Sequence, residues 1–232
     1  MPRVPFLLAP LLIAGAVACA APSAQAEHIQ LTNRIATLYG GVSQQSIEKV
    51  VKKVLEYDGQ SHEPIWLLID SYGGSVDAGF ILIDLMRTIR SPIYAVVTSK
   101  AYSMGAIITV FAKKRYIYEH ATMMLHEASY GALGEDPSIR SRIEFNMRYL
   151  DRIHKEIAER IGMTPKAYRS RIRDAWWVLA DDAVKYKMVD AVVTKVTYTE
   201  YATEKVEIKR TRLLKQKRVS RPDANAPQAN AE

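Results

Sequence analysis

Ala101-Tyr102-Ser103-Met104-Gly105-Ala106 joins two apolar runs of different character. Before it, Pro92-Ile93-Tyr94-Ala95-Val96-Val97 reads as a strand; after it, Ile107-Ile108-Thr109-Val110 opens a helix. A serine at a strand-to-helix turn sits at a helix N-terminus, where free backbone N–H groups and the positive end of the dipole favour negative charge. Acyl-transfer chemistry needs such a setting, a nucleophile beside donors that hold an oxyanion. Most serines at helix starts are only caps, so the hexapeptide acquires meaning from two other segments. These are Asp70-Ser71-Tyr72-Gly73-Gly74 upstream and Met124-Leu125-His126-Glu127 downstream.

Working outward, the pattern repeats. Arg34 to Gly41 reads as a strand ending in a glycine turn, and Ser43 to Tyr57 as a helix with Ile47, Val50, Val51, Val54 and Leu55 on one face. Ser43 and Ser46 are cap candidates. Ile65-Trp66-Leu67-Leu68-Ile69 is a continuous apolar run, expected of a strand buried in a parallel sheet. Val76 to Ile89 is helical, Tyr116–Tyr118 and Thr122–Leu125 are short strands, Ser138 to Ile161 is a long amphipathic helix, Thr164-Pro165 opens another through Ile172, and Val189–Val193 is a last strand. Strand–helix units with short connections predict an α/β fold with a parallel sheet and right-handed crossovers.

The 232 residues are 48% hydrophobic, enough for a sizeable core. The net charge of +7 is misleading as a nucleic-acid signal, because Glu204 to Arg221 alone holds eight Lys/Arg against two Glu. A basic terminal segment is a solvated tail more often than a specific nucleic-acid site. The first 26 residues read as an export signal: Arg3, then the uncharged stretch Phe6 to Ala18, then Ala24-Gln25-Ala26 as a small-x-small cleavage site that leaves Glu27 first. That stretch is short for a membrane span. The expected location is a bacterial periplasm. The single cysteine, Cys19, lies inside the signal; Ala16-Val17-Ala18-Cys19 loosely resembles a lipoprotein box, which gives lipid anchoring through Cys19 as the alternative. We expect a signal over 1–26, one domain over 27–198 and a basic, then disordered, tail over 199–232. No His/Cys/carboxylate cluster has metal-ligand spacing, so no metal or other cofactor is expected.

Together the Ile-Asp-Ser-Tyr-Gly-Gly, Ala-Tyr-Ser-Met-Gly-Ala and Met-Leu-His-Glu segments, with Ala183-Val184-Lys185-Tyr186-Lys187-Met188-Val189-Asp190, resemble in order and spacing the ClpP-type serine peptidases of the crotonase-like superfamily. The resemblance covers roughly Arg34 to Val193. It implies a ClpP/crotonase-like α/β fold of repeated units with a protruding long helix. It also implies Ser103 as nucleophile, His126 as general base, and the backbone N–H groups of Gly74 and Met104 as the oxyanion hole. For the triad acid, an alignment without a gap from Tyr186 falls on Ala175; one extra residue around Trp176-Trp177 places Asp174 there instead. We read Asp174 as the acid because it keeps the acid-then-aromatic order, with a helix-end surface carboxylate as its alternative. His28, His62, His120 and His154 read as structural or surface residues in polar termini, loops or an exposed helix face.

Departures from the family pattern are Tyr72 in place of the usual proline before the glycines, and Lys187 in place of a glycine in the closing segment. The resemblance further implies a ring-shaped homo-oligomer interlocked through the long helix. Its apolar positions Ile139, Ile143, Met147, Leu150 and Ile157 serve either a partner or their own core. The family's ATPase partner is cytoplasmic, so an exported chain would act on peptides or unfolded segments without ATP; a cytoplasmic chain would be the proteolytic subunit of an ATP-dependent protease. Two other classes stand beside the serine endopeptidase: an enzyme acting on acyl-CoA thioesters, which shares the two-N–H oxyanion hole, and a catalytically impaired binding or assembly protein.

Overall fold

The computed structural model describes residues 26–129 and 134–200. The expected signal up to residue 25, with Cys19, and the expected tail beyond residue 200 lie outside the described residues. The elements are β1 (Ala26–Thr32), β2 (Ile35–Val42), α1 (Gln44–Gln60), β3 (Ile65–Gly74), α2 (Val76–Thr88), β4 (Ile93–Tyr102), α3 (Met104–Phe111), β5 (Lys114–Tyr118), β6 (Thr122–Leu125), α4 (Asp136–Arg160), α5 (Pro165–Ile172), β7 (Trp176–Leu179), α6 (Ala180–Lys185) and β8 (Ala191–Thr199). The main sheet runs β1-β8-β5-β4-β3-β2, all parallel. β6 pairs parallel to the end of β4, and β7 pairs antiparallel to β6. The α/β expectation holds, with one antiparallel pair at the site end of the sheet.

Local chemistry sets the element ends. Ser43 and Ser46 form a reciprocal capping box at the start of α1: the Ser46 N–H donates to Ser43 Oγ (3.2 Å) and the Ser43 N–H to Ser46 Oγ (2.9 Å). Ser75 caps α2 and Thr164 caps α5 by accepting the N–H three residues on. α3 has eight residues, too few for a stable isolated helix. It forms because seven of its residues are buried, from Met104 to Phe111 except Ile107. Packing this tight needs small partners. A Cβ on Gly79 of α2 would meet the Met104 side chain at 2.4 Å, and one on Gly105 would meet the Ser71 Cβ at 3.1 Å.

Successive strand residues point to opposite faces. Leu67, Ile69, Ala95, Val97 and Ile117 join the main core with the helices. Trp66, Val96 and Tyr116 form a second cluster with Ile29 and Leu31 of β1, in which Trp66 meets Tyr94 edge-on with ring centroids 5.4 Å apart. Two cations tie the frame together, Arg34 buried and Arg160 at the surface. Arg34 donates to the carbonyls of Tyr57, Ser61, Glu63 and Pro64 and to Ser91 Oγ, which locks the α1–β3 loop. Arg160 of α4 donates to the carbonyls of Val110, Phe111 and Ala112, capping the C-terminus of α3.

Four features were not anticipated from sequence. β1 starts at Ala26, immediately at the expected cleavage site, ahead of the strand from Arg34 that was the first one read. β3 runs through Gly73 and Gly74 by way of a register shift against β2 instead of ending there. β7 and α6 are too short to carry a period. The last strand extends to Thr199 by pairing with β1.

Lys187, the residue that replaces the family's glycine, keeps a left-handed bend at φ 57. Its carbonyl accepts the Arg115 Nη1 hydrogen at 2.8 Å, so the bend serves an ion-paired corner in which Arg115 also binds Asp190. A residue with a Cβ in this region costs about 1–2 kcal/mol. Lys187→Gly is therefore expected to raise unfolding stability by up to about 1 kcal/mol, once the greater unfolded-state entropy of glycine is set against the relieved strain. Urea denaturation with unchanged m-value measures this.

Candidate active site

Ser103 ends β4 and starts α3 with φ 51 and ψ −119. A non-glycine residue here is strained by roughly 1–3 kcal/mol, and such strain persists only where its surroundings overdetermine it. Those surroundings are visible. The Ser103 N–H donates to the Met124 carbonyl of β6 at 2.7 Å, and the Ser103 carbonyl accepts the Ile107 N–H at 3.1 Å. The serine hydroxyl makes no helix cap. It lies 2.8 Å from Nε2 of His126, which follows directly on β6. Because Tyr102 and Met124 are register partners, the β4–β6 pair brings the two side chains together. The plain helix-cap alternative for Ser103 is thereby excluded.

Gly73 and Gly74 form the opposite rim. Ser71, fully buried, donates through Oγ to the Gly40 carbonyl (2.6 Å) and accepts the Gly73 N–H (3.1 Å), which fixes the turn. Gly73 has φ 86, and a Cβ there would lie 2.5 Å from the Tyr102 carbonyl and 2.9 Å from the Met104 nitrogen. Gly74 has φ 147, and its Cβ would lie 2.3 Å from the Val42 carbonyl. Only glycine permits this approach of β3 to the Ser103 turn. Tyr72, Gly73, Gly74, Val76, Ser103, Met104, Ile107, His126, Leu150, Ile153 and His154 share one cavity of about 300 Å³. Four of the five residues read as functional from sequence, Ser103, His126, Gly74 and Met104, thus meet in one place.

Asp174 does not join them. Its carboxylate accepts Nε and Nη2 hydrogens of the neighbouring Arg173, and its side chain is 76% exposed. No carboxylate among the described residues hydrogen-bonds His126. The reason is the strand register: Leu125 pairs with Trp176 and Met124 with Trp177. Carried one step on, this antiparallel register sets Ala175 opposite His126. Ala175 is itself left-handed, at φ 62. The backbone thus follows the ungapped reading, with alanine opposite His126 and Asp174 turned outward.

Sequence reasoning also misjudged His154. It was read as lying on an exposed helix face, yet it is buried on α4 and lines the cavity. The helical spacing Leu150, His154, Ile157 carried the signal, since it places the histidine on the apolar stripe. Around the rim, Tyr72, Tyr102 and Trp177 form an aromatic series, with ring centroids 6.1 Å apart for the first pair and 5.1 Å for the second.

The family model "Clp protease" matches residues 23–196. The ATP-dependent Clp protease proteolytic subunit 2 of Pseudomonas aeruginosa is 28% identical over 156 residues, covering 66% of this chain and 78% of that protein. With the family model spanning most of its length, the chain belongs to the Clp protease family and is a serine-type peptidase.

Proposed function

We propose that the chain hydrolyses peptides or unfolded protein segments through Ser103 and His126, without a carboxylate from position 174. The observation that carries this is the 2.8 Å contact between Ser103 Oγ and His126 Nε2 beside the glycine rim. Ser103 Oγ attacks the scissile carbonyl carbon while its proton passes to Nε2. The oxygen, now negative, is held by the N–H groups of Gly74 and Met104; the latter is the first residue of α3, whose N–H has no partner within the helix. The C–N bond then breaks, the leaving amine takes the proton from Nε2, and the acyl ester on Ser103 is hydrolysed by water with His126 again as base.

Two further readings belong to the proposal. The uncharged stretch Phe6 to Ala18 and the Ala24-Gln25-Ala26 site support export to a periplasm, where hydrolysis proceeds without an ATPase. The start of β1 at Ala26 is compatible with cleavage there, which removes one residue of the strand. Assembly into rings through α4 is supported by Ile143, Phe145 and Met147, which project from α4 as exposed apolar side chains, whereas Ile153 and Ile157 are buried in the chain's own core.

A fluorophosphonate probe labels only an activated serine. The chain from Glu27 onward is expected to label, and both Ser103→Ala and His126→Ala are expected to abolish labelling with little change in melting temperature. Labelling that survives Ser103→Ala would remove the nucleophile assignment.

The acid position gives a second test by peptide turnover. Asp174→Asn is expected to leave kcat within about twofold, because the carboxylate faces Arg173 and solvent. Ala175→Asp is expected to raise kcat at least tenfold, since a carboxylate there orients the imidazole and stabilises its charged form. Aspartate also tolerates the left-handed backbone better than alanine. A loss of orders of magnitude in Asp174→Asn would restore Asp174 as the acid.

A further inference from the structure

His126 commits one ring nitrogen to Ser103 and leaves the other unmatched. Nε2 lies 2.8 Å from Ser103 Oγ, and Nδ1 has no hydrogen-bond partner among the described residues. Nor is Nδ1 sealed: the ring is half-buried, and this atom stays open to solvent, unlike Nδ1 of His154. For Nε2 to take the serine proton, the neutral ring must carry its hydrogen on Nδ1. Nδ1 is then an accessible donor, and no side chain fixes the tautomer or steadies the imidazolium that forms.

The carboxylates nearest in sequence are placed elsewhere. Asp174 is bound to Arg173. Glu127, one residue past His126, lines a different cavity with Asp151, His154 and Arg169. β6 runs between β4 and β7, so with Nε2 turned to Ser103 at the end of β4, the remaining nitrogen is left for the β7 side. There the register sets Ala175, half-buried, whose side chain carries no acceptor. Ala175 does not line the cavity shared by Ser103, His126 and the glycine rim. A small molecule beside Ala175 therefore leaves the place of the scissile carbonyl free.

We propose that an external carboxylate binds at His126 Nδ1 beside Ala175 and supplies the orienting acceptor that the chain does not place there. Its source is either a small free acid anion or an acidic side chain of the bound peptide. This rests on the reading of Ser103 as nucleophile and His126 as its base. The carboxylate accepts the Nδ1 hydrogen, holds Nε2 toward Ser103 and offsets the positive charge on the ring. The proton stays on Nδ1, so no bond of the reaction changes. A free anion loses rotational and translational entropy on binding, so its effect is smaller than that of an aspartate built in at position 175.

The test reads the rate at which a fluorophosphonate probe labels Ser103, in sodium formate against sodium chloride at equal ionic strength and pH. Formate is expected to raise the rate saturably, by about threefold or more. Ala175→Asp is expected to label fast in chloride and to gain nothing from formate. Ala175→Asn also tolerates the left-handed backbone and fills the place with a neutral group, so it is expected to lose the formate response. Peptidyl phosphonate probes with Asp or Asn at successive positions separate the two sources. An Asp probe that labels faster in chloride, with the advantage gone in Ala175→Asn, assigns the carboxylate to the substrate; a response to formate alone assigns it to a free anion. A second readout needs no reactive serine. In protein carrying 15N-histidine, the Nδ1 proton signal of His126, assigned by its loss in His126→Gln, is expected to sharpen and move downfield in formate. Labelling that neither formate nor any Asp probe accelerates, or a formate effect that persists in both Ala175 variants, would overturn the proposal and leave Ser103 in place. Absent labelling with a formate-dependent Nδ1 signal would count against the nucleophile alone.

Discussion

The bond from the Ser103 N–H to the Met124 carbonyl, 2.7 Å long, sets the rest of the site. It joins the last turn of β4 to β6 at the point where one strand delivers the serine and the other the histidine. Without it the φ 51 backbone at Ser103 would relax, because nothing intrinsic to serine favours that conformation. With it, the hydroxyl turns from its usual capping role toward His126. The strain is sustained from both sides. α3 is seated by its buried side chains and by the cap from Arg160, and the glycine rim of β3 leaves no room for the turn to back away.

The position opposite His126 follows the same logic with a different outcome. β7 is placed by antiparallel pairing to β6, so whichever residue precedes Trp176 faces the histidine. That residue is alanine, and the carboxylate of the preceding Asp174 lies on the outward side, already bound to Arg173. A single-residue displacement in a strand turns a side chain to the other face, so proximity in sequence does not substitute for register.

Much of this was legible in the sequence where period and punctuation were strong. The apolar runs at Ile65–Ile69 and Ile93–Val97, the capped helices after Ser43 and Thr164, and the Ser103 and His126 segments all sit in the structure where their patterns put them. β1 and β7 escaped because seven residues of mixed character, and an apolar run of only four, have no local signature. They are strands only because a partner strand offers a ladder. Asp174 was misplaced for a related reason: composition orders residues along a chain, whereas facing is decided by pairing. His154 was missed because a histidine was weighed by its polar neighbours in sequence rather than by its place on the α4 stripe.

Every strand on the path from β1 to β2 runs in one direction, so the sheet has an amino edge and a carboxyl edge. Gly74, Tyr102 and Thr199 lie at the carboxyl ends of their strands and Ala26 at an amino end. A reporter or affinity group joined ahead of β1 therefore hangs from the edge remote from Ser103. One joined after β8 begins at the edge that carries Ser103. For any preparation meant to keep the cavity open to long substrates, the amino end of the domain is the attachment point that the sheet's polarity recommends.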